Sequence, residues 1–231
     1  MVEPPVAQID WRGAVRVIRS HYPPIDLFED IADPEDWGLL ISAEMKTNPR
    51  LMPTIGNLEM VPPARRVSGP GATFLMAPFT HASIDRPNRF SSGQFGVLYI
   101  AQAFNTAVAE TIYHHEVFMA ATDQAPGWTS HFREIVLDVA AGCHDIREQG
   151  FEPLMNPSDY SEPQAFGAKF RNNGSEGIVY PSVRATGDCV ALFFPDTATN
   201  VRQGRHLDYH WDGTRVDLVR DLSAGDVYRV G

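Results

Sequence analysis

The stretch FGVLYIAQ at residues 95–102, followed at once by NTAVAETIYHHEVFMAAT at 105–122, constrains the fold more than any other part of the chain. Aromatic and β-branched residues bounded by a glycine and a polar turn predict a strand. In the following segment Val108, Ile112 and Val117 fall near one helical face, with Asn105 or Thr106 as the N-cap. The unit is therefore a strand leading straight into a helix. It carries Arg89 just before the strand, Tyr99 inside it and Glu110 on the helix.

The rest of the chain reads as mixed α and β. DWRGAVRVIRS at 10–20 suits a strand that Pro23 and Pro24 terminate. Two helices are expected after it, one through Leu27, Phe28 and Ile31, the other from Trp37 to about Lys46 behind Asp36. A Pro- and Gly-rich region follows, with a short apolar strand at Thr73–Met76. HFREIVLDVA at 131–140 predicts a strand, and a helix runs from about Pro163 to Asn172, closed by Gly174 at C′. GIVYPSVRATGDCVALFF predicts a hairpin, and Asp212-Gly213 a second one. With 231 residues, 43% hydrophobic and 21% charged, the chain is expected to form one domain over 1–231, with a helical and loop insertion at about 23–85.

A formal charge of −10 argues against a broad phosphate-binding surface and so against direct contact with nucleic acid. The positive charge is carried almost entirely by arginine, whose planar fork suits small anionic ligands. Cys143 and Cys189 lie outside any CxxC spacing and are expected as reduced thiols. Without a secretory leader or a run of 18 apolar residues, a cytoplasmic protein with no membrane segment is expected.

Each polar residue of the central stretch has an ordinary structural explanation: a loop arginine, a half-buried strand tyrosine, a solvated helix glutamate. Glu110 fits its explanation least well. Its neighbours are small or apolar, and a carboxylate there needs a partner such as Arg89 or a ligand hydroxyl. Ser182 after Pro181 is either a turn serine or a ligand-binding hydroxyl, with Arg184 two positions on. No G-x-S-x-G elbow surrounds it, so a nucleophilic hydrolase is not supported. His114 and His115 are adjacent and point to different helix faces, against a metal pair, and GPGATF lacks both nucleotide-loop spacings. Arg16, Arg19, His21 and Tyr22 near the start are surface residues or reach a shared cleft.

RVIRSHYPP, NRFSSGQFGVLYIAQAFNTAVAETIYH and SEGIVYPSVRATGDCVALFFP together resemble the RES domain family, toxins of bacterial Res-Xre toxin–antitoxin pairs, from about Val15 to about Pro195. The resemblance implies an α+β, ADP-ribosyltransferase-like fold, with small mixed or antiparallel sheets forming a central cleft between flanking helices. It implies an enzyme that degrades NAD as substrate by glycohydrolysis or phosphorolysis of the nicotinamide–ribose bond, without cofactor or metal. Modification of a protein with ADP-ribose, or a non-catalytic partner-binding module, are the alternatives. Carried over, Glu110 and Arg89 are the catalytic residues, and Arg19, Arg89, Tyr99 and Ser182 bind NAD, with Arg16 as the alternative to Arg19. An Xre-type antitoxin is the implied protein partner, and self-association into a homo-oligomer is left open.

Overall fold

The structure is a computed structural model that describes residues 3–20, 37 and 56–230. Among the described residues, eight strands and three helices of nine residues or more follow one another in the order β1 (Val6–Arg19), α1 (Ala72–Thr80), β2 (Leu98–Ala101), α2 (Phe104–Ala120), β3 (Trp128–Asp145), α3 (Ser161–Asn172), β4 (Gly177–Pro181), β5 (Asp188–Leu192), β6 (Ala198–Trp211), β7 (Val216–Asp221) and β8 (Val227–Arg229). The class is α+β, as expected. The strands implied as small separate sheets are joined into one eight-stranded sheet in which β3–β4 is the parallel pairing and the others are antiparallel. β1 and β3 are long enough to serve both parts. β1 pairs with β3 and with β2, so β1–β2–β5–β4–β3 closes on itself, while β6, β7 and β8 extend from β3.

Two apolar cores cover the two faces. Strand alternation sends Ile178 and Tyr180, and Cys189 and Ala191, to the face covered by Ile112 and Met119 of α2 and Phe166 and Phe170 of α3. Their neighbours Val179 and Val190 join Leu75, Met76 and Phe79 of α1 on the other face. A bulge at Trp11/Ala14 resets this alternation in β1, where Gly13 takes φ 67° and donates its N–H to Asp138 Oδ1 at 2.8 Å.

The two expected hairpins form, and α3 ends in the expected glycine cap. Gly174 N bonds Arg171 O and Ser175 N bonds Phe170 O, both at 3.0 Å, with Gly174 at φ 84°. The expected strand at Thr73–Met76 is instead part of α1. Its buried residues, Ala72, Leu75, Met76, Phe79 and Thr80, recur at helical spacing. A short, largely apolar run looks the same in either state, and here the helical register supplies the buried stripe. In α2 no side chain caps the N-terminus: Thr106 donates to Thr186 O instead. Val117 is 55% exposed, and His115 and Met119 continue the buried stripe in its place. The two helices expected between 23 and 46 lie outside the described residues, apart from Trp37, which is helical and buried. Cys143 and Cys189 are free and buried.

Candidate active site

β1 meets β2 at Val15↔Ala101 among the described residues. Beside that junction lies a cleft of about 600 Å³, lined by Val15–Val17 of β1, Tyr99–Ala101 of β2, the Glu110 face of α2, Tyr180 and Cys189 of β4 and β5, and the loops carrying Arg89, Tyr160 and Arg184. The volume suits a drug-sized or nucleotide-sized molecule. On α2 the lining residues Glu110, Tyr113, His114 and Val117 follow the i, i+3, i+4, i+7 rule, so one stripe of the helix forms a wall.

Glu110 finds its partner on the β4–β5 loop. Ser182 Oγ donates to Glu110 Oε1 at 2.6 Å and accepts the N–H groups of Arg184 and Ala185, each at 3.1 Å. A hydroxyl has one hydrogen and two lone pairs; with both lone pairs taken, its hydrogen is committed to the carboxylate. The loop is closed by Ser182 N to Gly187 O at 2.8 Å and pinned to α2 by Thr106 Oγ1 to Thr186 O at 3.0 Å. Gly187 has φ 124°, and a Cβ there would stand 2.5 Å from Thr106 Oγ1, so a glycine is required for the loop to sit this close to the helix.

Arg89 does not pair with Glu110. It is buried, donates Nη1 to Leu154 O at 3.0 Å and Asn156 O at 2.9 Å, and lies 4.8 Å over the Tyr160 ring. No ion pair to Arg89 is formed among the described residues, and the residue lines the cleft. The Tyr99 hydroxyl donates to Asn88 Oδ1 at 2.6 Å and accepts Phe90 N–H at 3.0 Å, which holds the backbone on either side of Arg89. Burial pushes the Tyr99 phenol well above its usual range, against the pull of the Phe90 N–H and Arg89. Arg184 lies 3.3 Å over the Tyr113 ring and donates Nη2 to Pro157 O at 2.7 Å.

Arg16, Arg89, Tyr99 and Glu110 thus line one cleft, with Ser182 directly behind Glu110. Arg19 does not line it. Its guanidinium lies 4.5 Å over Phe118 and faces an adjoining cavity of about 890 Å³ that shares Arg16, Val17, Thr111 and His114 with the first. Of the two early arginines it is therefore Arg16 that stands with Arg89 and Glu110. Arg184, Tyr113, His114 and Tyr160 also line the cleft, and sequence reasoning assigned them no role in it. For Tyr113 and His114 the signal was present in their spacing from Glu110. Among the described residues no cluster of His, Cys, Asp or Glu could hold a metal, and no helix is long and apolar enough to cross a membrane.

The RES domain profile matches residues 63–212, and the chain belongs to that family. It is 28% identical over 210 residues to the uncharacterized protein y4oC of Sinorhizobium fredii (strain NBRC 101917 / NGR234), covering 88% of this chain and 85% of that protein. A chain of the M. tuberculosis MbcT-MbcA toxin-antitoxin complex superimposes over 88% of this chain and 87% of its own, with a TM-score of 0.44 and 12% identity.

Proposed function

We propose that this protein is the toxin of a toxin–antitoxin pair, an ADP-ribosyltransferase-like enzyme that takes NAD as substrate and cleaves its nicotinamide–ribose bond. The observation that carries the reading is the pairing of an oriented carboxylate, Glu110 on Ser182, with the guanidinium groups of Arg16, Arg89 and Arg184 in one cleft. A dinucleotide presents a diphosphate for planar cationic forks and a ribose for a carboxylate. Membership of the RES family supports this reading, because the family resemblance implies NAD as the substrate.

In the reaction the bond from the anomeric carbon to the nicotinamide nitrogen breaks, its electron pair leaves with nicotinamide, and cationic character develops on the ribose. A carboxylate beside the ribose stabilises that charge. Glu110 takes this role: Ser182 holds Oε1 and leaves the second oxygen for a ribose hydroxyl. Arg16 and Arg89 hold the diphosphate. Tyr99 keeps Arg89 in place through Asn88 and Phe90 and offers its ring as part of the cleft wall. Ser182 is a positioning residue: the N–H groups of Arg184 and Ala185 occupy both lone pairs of its hydroxyl, which makes it a poor nucleophile.

The test is incubation of purified, antitoxin-free protein with NAD, with and without inorganic phosphate and with a lysate protein fraction, followed by mass spectrometry. ADP-ribose, ADP-ribose 1″-phosphate or ADP-ribosylated protein identifies the acceptor. Intact NAD in every arm contradicts the reading.

A further inference from the structure

We propose that His114 accepts the proton of an attacking water, which makes this chain a glycohydrolase; the inference rests on the NAD-cleaving reading above. His114 stands one helical turn beyond Glu110, on the same stripe of α2, and is exposed within the cleft. Water, unlike phosphate, must lose a proton as it becomes bonded to the anomeric carbon, so a hydrolase profits from a base near the carboxylate that holds the ribose.

Among the described residues, the other polar groups of the cleft are engaged or unsuited. Ser182 and Tyr99 have their hydroxyl hydrogens committed to Glu110 and Asn88, and Thr111 donates to Ala107 O at 2.7 Å. Tyr113 and Tyr160 direct their hydroxyls to Pro157 O. Burial holds Cys189 protonated, and arginine accepts no proton at neutral pH. His114 retains a ring nitrogen able to accept one.

Its surroundings keep that nitrogen unprotonated. Desolvation within the cleft lowers the imidazole below its usual range; Glu110 on its own helix opposes this, while Arg184 from the β4–β5 loop and Arg89 from the segment before β2 reinforce it. Arg16 on β1 borders both cavities with His114, and Arg19, His81, Arg86 and His115 line the adjoining one. Among the described residues, more arginines than carboxylates face the ring. In the step itself the water O–H bond breaks and its proton passes to His114. The oxygen bonds to the anomeric carbon as the carbon–nitrogen pair leaves with nicotinamide, and the imidazolium later returns the proton to solvent.

Nicotinamide release by the full chain and by His114→Gln, at saturating NAD between about pH 5 and pH 9, with and without inorganic phosphate, tests this. The wild-type kcat is expected to rise through one ionisation below the usual histidine range, independently of phosphate. His114→Gln should lose that ionisation and fall on the order of 10²-fold in kcat, with KM for NAD changed less than about twofold. Glutamine is a good helix former at this exposed site, and an unchanged far-UV spectrum checks the fold. A wild-type pH profile and kcat in the variant overturns the role of His114. So does strict dependence on phosphate with ADP-ribose 1″-phosphate as product, although NAD cleavage then still stands. If wild type cleaves no NAD, both readings fail.

Discussion

The hydroxyl of Ser182 and the carboxylate of Glu110 are 2.6 Å apart across 72 residues of sequence, and this bond joins the β4–β5 loop to the centre of α2. Because the same hydroxyl accepts two backbone N–H groups, the orientation of Glu110 depends on the whole loop from Ser182 to Gly187. The acidic group of the cleft is thus set by non-local contacts.

Ser182→Ala removes the donor to Glu110 and the acceptor of two N–H groups together. Partly buried groups left without partners cost about 1–3 kcal/mol, so a loss of about 2 kcal/mol in urea unfolding is expected. The kcat for NAD should fall more than KM rises, since the ribose carboxylate loses its orientation and the diphosphate forks do not.

Tyr99→Phe keeps the ring as cleft wall and removes the hydroxyl. Asn88 Oδ1 then lacks its donor and Phe90 N–H its acceptor. Chemical denaturation should show a loss of about 2 kcal/mol. Hydrogen exchange at Phe90 should quicken, which locates the effect beside Arg89.

Arg89→Lys keeps the charge and loses the planar fork. One ammonium group on a flexible stem does not reproduce two carbonyl bonds together with the stacking on Tyr160. NAD binding, measured by calorimetry in a Glu110→Gln background in which turnover is slowed, should weaken on the order of tenfold or more. Binding unchanged by the lysine variant would remove Arg89 from the diphosphate site.

His115 gives the fold an acid sensitivity separate from the cleft chemistry. Burial, with Arg19 adding to it, pushes the imidazole down from 6.5 to about 4. Its ring contacts include Phe132 at 5.0 Å, Tyr209 at 6.1 Å and Phe118 at 6.2 Å. The unfolded chain therefore binds a proton more readily than the folded one, so stability contributed by neutral His115 is complete above pH 6.5 and declines as pH falls toward about 4. His115→Leu should flatten the fall of Tm with pH across this window; an unchanged slope would contradict it.

Local chemistry was legible where local chemistry decides the structure. Gly174 after an apolar-periodic segment marks the end of α3, and Asp212-Gly213 between two runs marks the β6–β7 turn, where Asp212 Oδ1 accepts from Thr214 N at 2.7 Å and Arg215 N at 2.9 Å. The odd placement of Glu110 among small residues was also visible, and it does require a partner. Arg89 was a natural guess for that partner because it is near in sequence; Ser182 holds it because the β2–β5 and β4–β5 pairings bring the far loop to α2. Thr73–Met76 was unreadable for a different reason, since a short, largely apolar run fits either helix or strand and the buried stripe shows only over the full length of α1. Choosing between Arg16 and Arg19 depended on where β1 leaves β2, a fact of pairing with no local signature.

Replacing Glu110 by Gln tests the central claim most directly, because it keeps the size of the side chain and an acceptor for Ser182 while removing the negative charge. The measurement is the rate of nicotinamide release from NAD by purified wild type and Glu110→Gln, both with melting curves that confirm folding. We predict rapid release by wild type and a loss on the order of 10²–10³-fold in the variant, with NAD still bound. Equal rates for the two proteins would contradict the assignment of Glu110 as the carboxylate that stabilises the ribose.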